Sequence, residues 1–229
     1  LKETNIIQER DEIISFISDV CDINDRTEIN INSTIPVGRG LGSSAALSIA
    51  IARAKKLTNI REIANKCEKF IHGNPQVLSD TPLLFSKKDG AIPLDFNLDS
   101  YLLIIDTGVI GITKETLKHI KQNFENYKSY IDELGEITEK VIEPLKKKAI
   151  EIVGDYMYKA HNLLQKLGVS HESNDDVVNI CKNNGALGAK LTGGGAGGCC
   201  IALSKTKENA EKIQNELAKK GYKSWIVTV

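Results

Sequence analysis

The chain carries no excess of either charge: 30 Lys and Arg face 30 Asp and Glu, so the formal net charge is zero. A nucleic-acid binder usually gathers a basic excess on one face, and that class of partner is therefore not expected. Small anionic ligands stay open, because a few local donors hold them without any global charge. A C-x-x-C pair is also missing. The five cysteines (Cys21, Cys67, Cys181, Cys199 and Cys200) form an odd set. They point to neither a disulfide framework nor a zinc site, and they fit a reducing compartment. No apolar run nears the roughly 18 residues that span a bilayer; the closest, Tyr101 to Ile105, meets Asp106 at once. No charged leader followed by an apolar stretch opens the chain either. The expectation is a cytoplasmic protein with no membrane partner.

With 229 residues there is enough chain for one large domain or two small ones, and for a real core. Asp11 to Asp22 shows helical apolar spacing through Ile13, Ile14, Ile17 and Val20. Glu28 to Ile35 alternates, with Ile29, Ile31 and Ile35 set among polar residues, and reads as a half-buried strand. Helices are expected over Ser43 to Ala54 and Arg61 to Phe70, and a strand over Tyr101 to Asp106. The lysine- and glutamate-rich stretch from Thr113 to Leu167 predicts three helices. Beyond it come a helix over Asp175 to Asn183, strands over Ala189 to Thr192 and Cys199 to Leu203, a helix over Asn209 to Lys220, and a strand from Tyr222 to Val229. No internal repeat or low-complexity linker appears. The pattern is α+β, with two packed domains expected over residues 1–97 and 98–229.

The most informative stretch is Pro36-Val37-Gly38-Arg39-Gly40-Leu41-Gly42-Ser43-Ser44-Ala45-Ala46. Alternating glycines let the backbone approach a ligand closely. The helix that follows begins at two serines, where unpaired N–H groups and the peptide dipoles favour an anion, phosphate above all. The serine hydroxyls can cap the helix, meet a phosphate oxygen or ligate Mg²⁺. The two better-known phosphate loops do not fit. No lysine precedes the serines, as G-x-x-x-x-G-K-[ST] requires, and Gly38, Gly40 and Gly42 are spaced too evenly for G-x-G-x-x-G. Gly193, Gly195 and Gly198 do fit the second pattern, but a strand is expected after them rather than a helix. A plain strand-to-helix connection capped by serine remains the structural alternative.

Pro36 to Ala46 resembles the second motif of the superfamily of galactokinase, homoserine kinase, mevalonate kinase and phosphomevalonate kinase, P-x-x-x-G-L-G-S-S-A-A. Lys190-Leu191-Thr192-Gly193-Gly194-Gly195-Ala196-Gly197-Gly198-Cys199 resembles its third motif, about 150 residues further on. Within the superfamily, Glu68-Lys69-Phe70-Ile71-His72-Gly73-Asn74-Pro75 is similar to the mevalonate kinase signature E-x-x-I-H-G-N-P-S-G-[IV]-D. Asp106-Thr107-Gly108 with Thr113-Lys114 resembles that family's D-T-G…S-T-K segment, with Ile112 where serine is usual. The resemblance covers nearly the whole chain from about Glu28 onward. It implies a first domain like the second domain of ribosomal protein S5 and a ferredoxin-like second domain. It also implies transfer of the γ-phosphoryl group of ATP to mevalonate, giving 5-phosphomevalonate. Another small alcohol of the superfamily (phosphomevalonate or homoserine) and a catalytically silent binding relative are the alternatives. A homodimer is compatible with it.

Carried over by residue, the resemblance places Gly38, Arg39, Gly40, Leu41, Gly42, Ser43, Ser44 and Ala45 around the ATP phosphates. It places Ser44 and Glu68 at Mg²⁺ as the catalytic pair, and His72, Thr113, Gly193, Gly194 and Ala196 toward the substrate. Duller roles compete: Glu68 as a surface glutamate, His72 as a hydrogen-bonding helix end, Cys199 and Cys200 as strand residues without chemistry, and Lys146 to Lys148 as a solvated helix face. Two features of the family are absent: an N-terminal motif with a lysine and G-E-H, and a catalytic Asp soon after Pro75. The chain opens at Leu1 and runs Pro75-Gln76-Val77-Leu78-Ser79-Asp80. A discontinuity between Pro75 and Gln76, a second near Ala54-Lys55, and a missing N-terminal segment are therefore expected, with Asp80 the weaker substitute for the missing Asp.

Overall fold

The computed structural model of the protein describes residues 12–24, 26–36, 38–72, 82–86, 88–111 and 113–229. Two compact units emerge, one drawn from Leu1–Val37 and Gly42–Leu94, the other from Gly38–Leu41 and Asp95–Val229.

In the first unit, residues 12–20 are helical (α1), followed by α2 (Ser43–Ala54) and α3 (Ile60–His72). Their apolar stripes meet in one cluster: Ile17 and Cys21, Ile51 and Ala52, Ile63 and Cys67 are all buried. Phe16 stacks on Phe70 with ring centroids 4.1 Å apart. A short hairpin, β1 (Leu83–Ser86) with β2 (Gly90–Pro93), completes the unit, and sequence reading missed it. The strand expected over Glu28 to Ile35 is absent; described residues 26–36 are irregular, and Ile31 is exposed. Alternation makes an apolar edge but supplies no hydrogen-bonding neighbour. Among the described residues no strand lies beside this segment to complete the ladder. The break expected at Ala54-Lys55 is not there either: the Lys55 N–H reaches the Ile51 carbonyl at 3.0 Å, and the Leu57 N–H reaches that of Ala52. The Pro75-Gln76 junction and Asp80 lie outside the described residues.

The second unit is a four-stranded antiparallel sheet in the order β4-β5-β3-β6, made of β3 (Tyr101–Asp106), β4 (Gly188–Leu191), β5 (Cys199–Ser204) and β6 (Lys223–Thr228). Helices separate β3 from β4 and β5 from β6, which makes the unit ferredoxin-like. Where three helices were expected after Thr113 there are four: α4 (Thr113–Gln122), α5 (Phe124–Lys140), α6 (Ile142–Lys146) and α7 (Ile150–Lys166). Pro144 has no N–H to continue the ladder of α5, which sets α6 off as a separate short turn. The α8 (Glu172–Asn183) and α9 (Lys207–Lys219) helices cover one sheet face. There Leu103, Ile105, Leu191 and Ala202 of the strands pack with Val177, Cys181, Ile213 and Leu217. The α7 helix meets the entry to β4 backbone to backbone. A Cβ on Gly154 would sit 2.3 Å from the Leu187 carbonyl oxygen, and one on Gly188 would sit 2.3 Å from that of Gly154.

Candidate active site

In the first unit the site begins at the start of α2. Gly42 precedes it in the left-handed region at φ 68° and offers no side chain to cap the helix, and the first turn holds no acidic residue. Among the described residues no backbone acceptor meets the Ser43 and Ser44 N–H groups, and the helix dipole adds positive potential there. In that first turn, the Ser44 hydroxyl donates to Glu68 Oε1 at 2.6 Å. Glu68, on α3, is only 3% exposed. That burial removes the surface-glutamate alternative, because a carboxylate is costly to bury without strong partners. Beneath the pair, the buried Ser48 hydroxyl donates to the Ala45 carbonyl at 2.9 Å, anchoring the first turn. The ordinary serine-capped connection is not what forms: the serine of this pair binds a carboxylate, not the helix end.

In the second unit, Gly38–Leu41 lies against the loop joining β4 to β5. Gly40 and Gly193 touch through their backbones: a Cβ on Gly193 would stand 3.3 Å from the Gly40 Cα. Gly195 tolerates no side chain, since its Cβ would come within 2.1 Å of the Val169 carbonyl oxygen. The loop is tied down on several sides. The Ala196 N–H donates to Val169 at 2.8 Å and the Gly198 N–H to Val109 at 2.8 Å. The Thr107 hydroxyl donates to the Gly198 carbonyl at 2.6 Å. A void of about 20 Å³, room for roughly one water, remains among Gly38, Gly40, Thr192 and Gly195. A larger concavity along α9 is an open charged surface with no converging chemistry.

Arg39 behaves differently from a free phosphate ligand. Its Nε pairs with Asp106 Oδ1 at 3.0 Å, and its Nη2 donates to the Gly108 carbonyl at 3.0 Å. Nη1 is buried without a protein acceptor among the described residues. Asp106 Oδ1 also accepts the Gly108 N–H at 2.9 Å, so one carboxylate holds both the glycine turn and the end of β3.

Other ionisable groups in this unit are structural. Burial pushes the Cys199 and Cys181 thiols up to about 12 and that of Cys200 to about 11, which leaves them protonated and unreactive at neutral pH. Burial lowers the Lys190 amine, which donates to the Leu191 carbonyl at 2.7 Å. Burial likewise lowers the His161 imidazole, against the opposing pull of Asp175, whose Oδ1 lies 3.2 Å from Nε2.

Comparison with known proteins places this geometry. The model of the GHMP kinase N-terminal domain matches residues 11–87, and that of the GHMP kinase C-terminal region matches residues 141–223. The chain belongs to the GHMP kinases. Mevalonate kinase of Thermococcus sibiricus is 31% identical over 220 residues, which are 86% of this chain and 66% of the relative. That of Pyrococcus furiosus is 30% identical over 227 residues, covering 86% and 68%. The crystal structure of Methanococcus jannaschii mevalonate kinase superposes with a TM-score of 0.73 at 27% identity, over 95% of this chain and 74% of that one. This GHMP kinase thus spans about two thirds of the length of the relatives it matches.

The fold brings together Ser44 with Glu68 in one unit, and Gly38, Arg39 and Gly40 with Gly193 and Gly194 in the other. His72 ends α3 and Thr113 opens α4, but the side chains of both lie outside the described residues. Ala196 takes a left-handed backbone at φ 56°, inside the bound loop. Sequence reading missed two supporting residues. Asp106 sat inside a quoted motif with no role attached, and that motif was the available signal. Asn174 carried no signal at all.

Proposed function

We propose that this GHMP kinase transfers the γ-phosphoryl group of ATP to mevalonate, giving 5-phosphomevalonate. The observation that carries the proposal is the Ser44–Glu68 pair, a hydroxyl and a buried carboxylate 2.6 Å apart at an uncapped helix start. Phosphoryl transfer demands chiefly positioning and charge neutralisation, because its loose transition state spreads charge over the equatorial oxygens. The backbone of Gly38 to Ala45 supplies N–H donors for the phosphates. Ser44 and Glu68 offer the hard oxygen ligands that suit Mg²⁺, a metal usually held by one or two carboxylates plus substrate phosphates. When bound, that ion neutralises charge on the phosphate oxygens. Among the described residues no group of three or more His, Cys, Asp or Glu side chains could hold a metal ion. His72, Thr113, Gly193, Gly194 and Ala196 are proposed to face the acceptor. The signature from Glu68 to Pro75 and the similarity to mevalonate kinases favour mevalonate over the other alcohols.

A coupled ADP-release assay on the full-length protein, with mevalonate, phosphomevalonate, homoserine and galactose offered in turn, tests this reading. Turnover with mevalonate alone is expected, falling about a hundredfold in Glu68→Gln. Turnover with another acceptor reassigns the substrate. ATP binding without turnover on any of them identifies a silent relative.

A further inference from the structure

Asn174, in the first turn of α8, is completely buried at 0% exposure. Its Oδ1 accepts the His171 N–H at 3.1 Å and the Gly197 N–H at 3.0 Å. Its Nδ2 donates to the Gly197 carbonyl at 2.9 Å and to Cys200 Sγ at 3.3 Å. Both lone pairs and both N–H groups of the carboxamide are thereby used. The orientation is forced, since a flipped amide would set NH₂ against two N–H donors. One side chain thus joins the start of α8, the β4–β5 glycine loop and the start of β5. By gripping both the N–H and the C=O of Gly197, it does what a neighbouring strand would do. A side chain at residue 197 could not help: a Cβ on Gly197 would come within 2.7 Å of Val109.

Packing alone does not ask for this residue. Its helix neighbours Val177, Val178 and Cys181 are apolar and buried, and leucine would fill a similar volume without desolvating an amide. We propose that Asn174 is a positioning residue that fixes the Thr192–Gly198 loop against the Gly38–Leu41 turn, and so holds that turn in the shape that accepts the phosphates of a nucleoside triphosphate. The inference rests on the ATP-using reading above. Removing the amide leaves the Gly197 N–H and C=O without their buried partner, and the loop then samples other shapes.

The test compares the wild-type chain with Asn174→Leu and Asn174→Asp by three measurements: direct binding of a non-hydrolysable ATP analogue, amide hydrogen exchange, and denaturant unfolding. In Asn174→Leu, analogue affinity is expected to weaken roughly tenfold. Exchange of the Ala196–Gly198 amides rises with it, while exchange in α9 stays unchanged. Asn174→Asp keeps the Oδ acceptors for His171 and Gly197 and recovers part of the affinity. Unchanged affinity with unchanged loop exchange overturns the proposal. So does faster exchange spread evenly over the second unit, which would mark a merely structural residue. Should Asn174→Leu not fold, Asn174→Asp carries the same comparison. A wild-type chain that binds no analogue defeats the kinase reading itself, and loop exchange alone then decides what Asn174 holds.

Discussion

At the scale of single residues, the pairing of Arg39 with Asp106 is the interaction most open to measurement. Both side chains are nearly buried, 15% and 14% exposed, so the pair is poorly screened, and losing one partner strands the other. Arg39→Met keeps the bulk and removes the charge; it is expected to destabilise the second unit by about 2 to 3 kcal/mol, read by denaturant unfolding. Adding Asp106→Asn should recover part of that loss, because no carboxylate then remains unpaired. A cost below about 0.5 kcal/mol would mean that the pair contributes no more than an exposed one does. Arg39 was expected to serve a ligand, and a sequence cannot show that Asp106, distant in the chain, holds its Nε while the Gly108 carbonyl takes Nη2.

At the scale of elements, glycines set where the second unit can close. Gly154 on α7 and Gly188 on β4 are in backbone contact, so Gly154→Ala must push helix from strand. It is expected to cost about 3 kcal/mol or more in thermal or denaturant unfolding. Gly135, in the middle of α5, has no atom of the described residues within 4 Å of where a Cβ would sit, and Gly135→Ala should stabilise by about 0.5 to 1 kcal/mol. Equal effects of the two substitutions would refute the close crossing. Local sequence predicted most elements well, because a periodicity of apolar residues is visible wherever one face is buried. It failed at Glu28 to Ile35, where the pattern alternated but no partner strand lies among the described residues, and at the β1–β2 hairpin, whose pairing depends on its turn rather than on apolar alternation.

At the scale of the whole molecule, the buried thiols link stability to pH. Cys181, Cys199 and Cys200 hold their protons to about 12, 12 and 11 in the folded chain, against 9.0 ordinarily. The unfolded chain releases these protons first, so stability is intact below pH 9 and falls as pH rises above it. The slope is up to about 1.4 kcal/mol per pH unit for each thiol. Lys190, whose folded value is lowered from 10.5, works the opposite way but counts for one site against three. Denaturant midpoints at pH 8, 9 and 10 check this, and a flat series would contradict it. On the acid side, His161 is lowered from 6.5, so stability also declines as pH falls below that value. The sequence by itself determined the α+β class, the glycine turn before two serines, and the glycine loop before β5. Each of these is written in adjacent residues, where backbone freedom and hydrogen-bonding capacity are local properties. Only the tertiary structure decided that Glu68 is buried against Ser44, that Asp106 claims Arg39, and that Asn174 grips Gly197. Those pairings join residues 23 to 67 positions apart, and only the packing of elements brings such side chains within hydrogen-bonding distance.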